Sequence, residues 1–391
     1  MKLTYVCDTK LKRDMDGRYY TNGSYNCDVW RRYIEISSNL TVVAFLEETE
    51  LNKTDAKSLF NTIPDGISIK TVPQRKTIFN YINIVLYFHL KEIILSEITN
   101  ADAVIIRVPG NNGFIAASIC RKLKKPYLIE VIGCSWDSLW NHSIRGKILA
   151  PRAYFLQRIA VSKSLYTLYV SNHFLQKRYP TKGKMVACSD VIIEEQHDEQ
   201  KISMLYNNKF VLGTAASLDV AYKGQQYVMR AVKKMKEKGV PVQYELAGIG
   251  KGTRLRKLAE SLGIEDSIIF KGSIPHANMG LWYQSLSVYV QMSLQEGMPR
   301  AVLEAMSFGK AVVGSNAGGI PELIDGSCVL KKKDVSTLTS KLIYLYNDTS
   351  LIKKLGEQNR LKYREYNRYV LDRRRNEFYN IFAYDVKRKT K

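Results

Sequence analysis

The sequence predicts an α/β protein made of two doubly wound, Rossmann-like domains. Its 391 residues exceed the roughly 250–300 residues at which a single hydrophobic core usually stops growing. Short β-rich runs alternate with longer helical stretches, which is typical of parallel sheets with crossover helices. A polar, acidic stretch at 194–208 interrupts this alternation, and a new series follows it. We therefore expect domains over 1–200 and 205–375, facing a central cleft, and a basic C-terminal tail over 376–391.

The individual strands follow from runs of β-branched and aromatic residues between turn signals. In the first half the expected strands are Leu3–Cys7, Thr41–Phe45, Ile67–Val72, Ala103–Arg107, Pro126–Ile132 and Leu165–Val170. The helices expected between them include Ser24–Ser37, Thr77–Glu97 and Gly113–Lys122. In the second half the expected strands are Phe210–Gly213, Val242–Ala247, Ser267–Phe270, Val288–Gln291 and Ala311–Gly314. Beyond Val335 the pattern predicts helices only.

Cysteine usage and hydropathy indicate the cellular compartment. The six cysteines are scattered without a Cys-x-x-Cys pair, which favours reduced thiols in a cytosol over a disulfide framework or a zinc site. The N-terminal apolar stretch is shorter than a signal peptide requires. The longest apolar run, Ile78–Leu90, contains polar residues and falls short of the ~20 residues of a membrane span. We therefore expect a cytoplasmic protein, soluble or peripheral to a membrane.

The charge of the chain predicts an acidic partner, because 59 Lys and Arg outweigh 37 Asp and Glu to give a net +22. Residues 138–189 contain no carboxylate but many aromatic side chains. Their nine cations are Arg145, Lys147, Arg152, Arg158, Lys163, Lys177, Arg178, Lys182 and Lys184. Cations mixed with aromatic rings suit an anionic membrane surface, so we expect this segment to bind the inner face of the cell membrane. A solvated basic face with ordinary core aromatics is the alternative.

The segment 293–322 carries the most specific chemical signal. A loop at 295–298 joins a predicted strand to a helix opened by Pro299, which places free N–H groups at a helix N-terminus and so favours an anion. Glu304 lies in the middle of that helix among apolar neighbours, where a carboxylate is costly without a partner. When Glu304 is considered by itself, the alternative is a surface position on the polar stripe of the helix. Glu296, eight residues earlier, makes the pair far more specific.

Glu296 and Glu304 resemble the Glu-x7-Glu signature of the retaining glycosyltransferases of family four, which have the GT-B fold. The similarity is strong over about thirty residues, including EGMPRAVLEAMSFGKAVV and AGGIPEL. It is weaker over most of the second half. There Tyr222–Gly224 is similar to a Lys-Gly phosphate motif, Glu245–Gly252 to a glycine-rich strand end, and Phe270–Ile274 to a base-contact segment.

The resemblance implies transfer of a sugar from a nucleotide-diphosphate sugar with retention, without an obligatory metal or cofactor. It implies that Glu296 approaches the sugar hydroxyls, that Glu304 accepts hydrogen bonds from the ribose hydroxyls, and that Lys223 neutralises the departing diphosphate. The other donor-binding residues that it implies are Gly297, Met298, Pro299, Arg300, Gly248, Gly250, Ser273 and Ile274.

Three departures from the family pattern shift roles to other residues. An arginine that usually precedes the lysine is missing, and Arg300 or another cation is the candidate to compensate. A histidine usually follows the strand at 126–132, and here Glu130 and Asp137 are the candidate catalytic replacements, with a loop-structuring Asp137 as the alternative. The N-terminal glycine loop is degenerate and leaves Gly23 as its candidate acceptor or phosphate contact.

Other functions fit the sequence less well. Asp14-Met15-Asp16 is an Asp-x-Asp, a metal-binding pattern in another glycosyltransferase fold, but it precedes any nucleotide site, and we expect no metal centre. A dinucleotide oxidoreductase would need Gly-x-Gly-x-x-Gly directly after the first strand. A GT-B nucleotide-sugar epimerase and a non-enzymatic, basic nucleic-acid- or membrane-binding protein remain alternatives. The favoured function is a hexosyl- or N-acetylhexosaminyl-transferase acting on a lipid-linked or surface-polysaccharide acceptor, without a nucleic-acid partner.

Overall fold

A computed structural model describes residues 1–21, 25–51, 61–73, 84–191, 193 and 210–390. The described residues form two sheets, one in each half of the chain, with helices packed on them. The predicted α/β class with two Rossmann-like domains is therefore confirmed. The predicted boundary at 200–205 lies outside the described residues and stays a prediction.

The first domain is built on a nine-stranded sheet in the order β4-β2-β1-β6-β7-β8-β9, with β3 pairing β1 and β5 pairing β3. The pairings are parallel except for those of β2. The strands are β1 (Lys2–Asp14), β2 (Tyr19–Thr21), β3 (Asn39–Leu51), β4 (Asn61–Thr62), β5 (Ile67–Val72), β6 (Ala103–Val108), β7 (Tyr127–Val131), β8 (Tyr166–Tyr169) and β9 (Lys184–Ala187). The helices are α1 (Cys27–Ile34), α2 (Ile84–Asn100), α3 (Asn111–Lys122), α4 (Ser135–Trp140), α5 (Ile144–Ser162) and α6 (Phe174–Arg178).

The second domain has a six-stranded, fully parallel sheet in the order β12-β11-β10-β13-β14-β15. Its strands are β10 (Phe210–Ala215), β11 (Val242–Ala247), β12 (Ile268–Gly272), β13 (Val288–Gln291), β14 (Ala311–Ser315) and β15 (Val329–Leu330). The helices are α7 (Gln225–Glu237), α8 (Thr253–Leu262), α9 (His276–Ser285), α10 (Arg300–Ser307), α11 (Ile320–Leu323), α12 (Val335–Asn347) and α13 (Thr349–Tyr363). Short 3-10 turns occupy Ala221–Lys223, Glu265–Ser267, Gly326–Cys328 and Arg364–Tyr366.

Every predicted strand is present, three of them with the predicted bounds. The remaining strands are those that the pattern did not reveal: β2, β4, β9 and β15, which have two to four residues each and lie at or near sheet edges. Such short strands carry too few alternating residues to be distinguished from loops. The predicted helix at Thr77–Glu97 lies partly outside the described residues, and its described part belongs to α2.

The last helix, α14 (Arg368–Thr390), contains most of the basic stretch predicted as a C-terminal tail at 376–391. Helical spacing puts the apolar side chains of Phe378, Phe382 and Val386 on one face, and all three are buried in the first-domain core. Tyr379 is buried beside them and stacks on Tyr33 of α1, with 6.0 Å between the ring centroids. The aromatic residues within the basic stretch therefore pack the end of the chain against the first domain.

Candidate functional site

A cavity in the second domain, at the carboxyl ends of β10, β11 and β13, gathers most of the predicted site residues, and we call it the main cavity for that reason. Its volume is about 370 Å³, which is within the size range of small-molecule sites. The lining side chains and backbone come from the strand ends and from the start of α10: Ala215, Ala216, Ser217, Lys223, Ala247, Gly248, Ile249, Ser273, Ile274, Met279, Gln291, Glu296, Pro299, Arg300, Ala301 and Glu304. A parallel sheet binds ligands at this edge.

Glu296 is held in place by two polar neighbours. Lys223 Nζ lies 2.9 Å and 3.1 Å from its two carboxylate oxygens. Ser293 Oγ donates to Oε1 at 2.7 Å, and Ser293 itself is fully buried. Gln291 Nε2 in turn donates to Ser293 Oγ at 2.7 Å. Because each partner is itself fixed, the carboxylate is oriented before any ligand binds.

Glu304 is paired in a similar way one helical turn inside α10. The buried Tyr283 hydroxyl donates to its Oε2 at 2.8 Å, and Arg300 Nε donates to Oε1 at 2.8 Å from the preceding turn. Burial, followed by the charges of Tyr289 and Glu304, raises the pKa of Tyr283, so that hydroxyl stays protonated. These partners compensate the carboxylate that the sequence placed among apolar residues.

The glycine-rich loop after β11 leaves room for close backbone approach. Gly248 has φ 147°, and a Cβ there would lie 2.1 Å from the Ala216 carbonyl oxygen. Asp219 fixes the far side of the loop, because its carboxylate accepts hydrogen bonds from the N–H groups of Lys251 and Gly252 at 3.2 and 2.9 Å. The loop is therefore held against the turn that precedes Lys223.

A second, bridging cavity of about 230 Å³ joins the main cavity to the first domain. Lys223 and Glu296 line both cavities. The bridging cavity is lined by Pro109, Ile132, Gly133, Cys134, Asp137, Ser138, Tyr222, Lys223, Gln295, Glu296 and Gly297. The domains touch here: a Cβ on Gly297 would lie 2.6 Å from the Ile132 carbonyl oxygen. Groups bound in the two cavities would therefore meet at the Lys223–Glu296 pair.

Most of the expected site residues come together in these two cavities. The main cavity gathers Lys223, Glu296, Glu304, Pro299, Arg300, Gly248, Ser273 and Ile274, and the bridging cavity adds Gly297 and Asp137.

Two other expected site residues lie behind the cavity walls. Met298 is buried against Gly319, and Gly250 lies against Asp219, so both shape the loops behind the cavity walls. Gly23 lies outside the described residues.

Glu130 does not line either cavity, in contrast to its expected place as a catalytic replacement. Alternation along β7 turns Glu130, like Leu128, toward the core face that α14 covers. The Tyr33 hydroxyl donates to it at 2.9 Å, the Tyr379 hydroxyl also donates to it, and Arg107 lies 3.6 Å away. Its exposed fraction is only 3%. This carboxylate joins α1 and α14 to the sheet.

Asp137 occupies the cleft but also has a local structural role. It is in the first turn of α4, where its N–H donates to Cys134 Sγ at 3.4 Å, and its carboxylate lies 3.5 Å from Arg178. Asp137 is therefore held by its neighbours at the wall of the bridging cavity.

A metal site in a protein requires several donor side chains close together. Within the described ranges, no group of three or more His, Cys, Asp or Glu side chains could hold an ion. Asp14 instead organises the turn after β1, since its carboxylate accepts hydrogen bonds from Asp16 and Arg18 N–H groups and from the Tyr20 hydroxyl. The Asp-x-Asp pattern is thus a turn motif.

Several residues that position the site could not be singled out from the sequence. Ser293 and Gln291 form the hydrogen-bond chain beneath Glu296, and Asp219 anchors the glycine-rich loop. Glu322 accepts hydrogen bonds from the N–H groups of Asn172, His173 and Phe174 across the domain interface, the first at 2.6 Å. Among these residues, Ser293 alone has a local sequence feature that relates it to the site, because it lies three residues before Glu296.

Comparison with known proteins agrees with this geometry. Residues 195–362 match the family described as glycosyl transferases group 1. Protein CapJ of Staphylococcus aureus is 32% identical over 371 residues, which is 93% of this chain and 90% of CapJ. The lipopolysaccharide core biosynthesis mannosyltransferase LpcC of Rhizobium leguminosarum bv. viciae is 34% identical over 107 residues, 27% of this chain and 30% of LpcC.

Solved structures resemble the whole chain. Sucrose-phosphate synthase from Thermosynechococcus elongatus superimposes with a TM-score of 0.68 over 98% of this chain and all of that one, at 13% identity. Anabaena Alr3699/HepE in complex with UDP gives 0.66 over 97% of this chain and all of that one, at 14% identity. At such identities the likeness concerns the fold. Taken with the relatives in sequence, it establishes that this chain belongs to the group 1 glycosyltransferases and is a transferase of the GT-B fold.

Proposed function

We propose that the protein transfers a hexosyl or N-acetylhexosaminyl group, with retention, from a nucleotide-diphosphate sugar to a lipid-linked or surface-polysaccharide acceptor. The observation that carries this proposal is the arrangement of Lys223, Glu296 and Glu304 around one cavity that opens into a second. The Glu304 carboxylate lies where it can accept hydrogen bonds from ribose hydroxyls. Glu296 lies at the junction, where the transferred sugar would sit.

Lys223 has the central role in the proposed chemistry. When the bond between sugar and diphosphate breaks, negative charge grows on the leaving oxygen. The Lys223 ammonium is paired with Glu296 in this structure. It lines the cavity and is therefore close enough to stabilise that charge. With the family's usual arginine absent and Arg300 already bonded to Glu304, Lys223 takes a larger share of the diphosphate charge. We therefore propose that the reaction needs no metal ion, and activity that survives chelation with EDTA would support this.

The names of similar proteins support the acceptor class. CapJ covers nearly the full chain, LpcC is described as acting in lipopolysaccharide core biosynthesis, and HepE has been solved with UDP and with UDP-glucose. The LpcC name, which refers to lipopolysaccharide, favours an acceptor on a membrane lipid.

A membrane contact through α5 completes the proposal. Ile144, Ile148, Phe155 and Ile159 repeat at helical spacing on one face and are 48–79% exposed. We call these four residues the apolar ridge. Cations border it: Arg145, Lys147, Arg152 and Arg158. An exposed apolar stripe between cations suits the surface of an anionic bilayer, so we propose that the protein attaches peripherally at the cytoplasmic face of the cell membrane. No described helix is long and apolar enough to cross a bilayer.

The donor is tested with a panel of nucleotide sugars. The cognate donor should raise the melting temperature of the wild type, and product analysis should show a new glycosidic bond with the anomeric configuration of the donor. Inverted configuration would overturn the retaining assignment. An epimerised nucleotide sugar without transfer would favour the epimerase alternative.

The membrane contact is tested by vesicle sedimentation. Wild type should pellet with phosphatidylglycerol vesicles and not with phosphatidylcholine vesicles, and salt should weaken the binding. Neutralising Arg145, Lys147, Arg152 and Arg158 together should abolish it. A variant with four second-domain lysines neutralised (Lys257, Lys332, Lys353 and Lys354) is the control for net charge. Equal pelleting of both variants would overturn the contact.

A further inference from the structure

A cavity at the edge of the first-domain sheet that lies opposite the catalytic cleft is not used by the proposed reaction. It has a volume of about 430 Å³ and lies where α3 ends, β7 begins and α14 passes. Its lining includes Arg121, Lys124, Lys125, Lys163, Tyr166 and Asp385. Because the other end of β7 leads to Ile132 in the bridging cavity, this basal cavity faces away from the catalytic cleft.

The basal cavity has an excess of positive charge. Four of its residues are cations, and its single carboxylate, Asp385, is already bonded by Lys184 Nζ at 2.8 Å and by the Tyr166 hydroxyl. Arg121 is half-buried and its side chain is hydrogen-bonded with Tyr127, but its Nη1 is buried and has no hydrogen-bond partner among the described residues. A buried guanidinium nitrogen with unused donors favours an anionic ligand, and phosphate oxygens match its geometry.

The lining also carries apolar surface. Leu165 is 58% exposed, whereas Tyr127 and Val386 are buried. A free inorganic anion would leave the Leu165 side chain in water. A phosphodiester with an attached glycerol and acyl chain would cover it.

The position of the cavity relative to α5 indicates where such a ligand would come from. Lys163 is the residue that directly follows α5 and lines the cavity, while α4, at the other end of α5, contributes Asp137 to the cleft. Nineteen residues give α5 a length of about 28 Å. A protein lying on its apolar ridge would therefore place both ends of α5, and this cavity, at the level of the lipid headgroups.

We propose that the basal cavity binds the phosphate of an anionic glycerophospholipid headgroup and so orients the enzyme on the membrane. The inference rests on the membrane contact proposed above, but it can be tested without a membrane. The group that the cavity recognises is a phosphate, which either a lipid or a soluble phosphate can supply. The choice of probe distinguishes these two sources.

The test measures binding of dihexanoyl phosphatidylglycerol, below its micellar concentration, to the full chain by calorimetry. Wild type should bind it, and Arg121→Gln/Lys124→Gln/Lys163→Gln should weaken binding on the order of 100-fold, since each cation near an anionic headgroup contributes. Lys257→Gln/Lys332→Gln/Lys353→Gln, which removes the same charge from the second domain, should bind like wild type. Lys124→Glu alone provides a milder substitution at an exposed position and should weaken binding in the same direction.

Three results would overturn the proposal: no binding to wild type, equal binding to the triple cavity variant, or equal affinity for inorganic phosphate. Replacing Ile148, Phe155 and Ile159 by Ser separates this site from the membrane contact itself. That variant should lose vesicle binding yet keep its affinity for the short-chain lipid. Loss of both in the ridge variant would show that the cavity is not an independent site.

Discussion

The two domains use their carboxylates in different ways. In the second domain Glu296 and Glu304 line a cavity, and partners bond both oxygens of each carboxylate. In the first domain Glu130, on a parallel strand, is enclosed by tyrosines and by α14. The same residue type therefore lies in a candidate site in one domain and in packing in the other. What differs is whether the carboxylate faces a cavity beyond the strands or a sheet face that another element covers.

Replacing Glu296 by Ala is the strongest test of this comparison. We expect turnover to fall by about 10²–10³-fold, since Glu296 lies at the junction of the cavities and orients Lys223, while nucleotide affinity changes little. Steady-state kinetics and calorimetry measure the two quantities. Glu357→Ala, which removes an exposed carboxylate from α13, should match wild type. Unchanged turnover in Glu296→Ala would remove this residue from the reaction.

The opposite outcome is expected for Glu130. Glu130→Ala should lower the free energy of unfolding by about 3 kcal/mol, because it leaves Arg107 and several tyrosine hydroxyls buried without their acceptor. The turnover of the folded fraction should stay at the wild-type value. Chemical denaturation and active-site titration test this together. A large loss of turnover with wild-type stability would return Glu130 to the catalytic residues.

Glu304 should separate binding from turnover within the second domain. Glu304→Ala should weaken nucleotide binding by about 1–3 kcal/mol, because a charged acceptor for ribose hydroxyls is lost. A 2′-deoxy nucleotide should lose affinity for wild type but not for the variant. If both proteins discriminate equally against the 2′-deoxy ligand, Glu304 does not contact the ribose.

The smallest effect is expected at the contact between the domains. Glu322→Ala removes the acceptor for three N–H groups at 172–174 and should lower turnover about fivefold, as expected for the loss of about 1 kcal/mol of interdomain hydrogen bonding. Donor affinity should remain unchanged. Glu322→Gln, which keeps one acceptor oxygen, should recover part of the turnover. A loss of donor affinity instead would mean that Glu322 acts through the loop at 296–297.

The sequence by itself determined the fold class, the parallel strands with long apolar runs, and the Glu296–Glu304 pair. Each of these depends on residues that are close in the chain, so periodicity and spacing can reveal them. The tertiary structure alone decided that Glu130 is enclosed and that Ser293, Gln291 and Asp219 support the site. Those outcomes depend on contacts between residues far apart in sequence. The burial of a carboxylate is set by the element that covers it, and for Glu130 that element lies about 250 residues later in the chain.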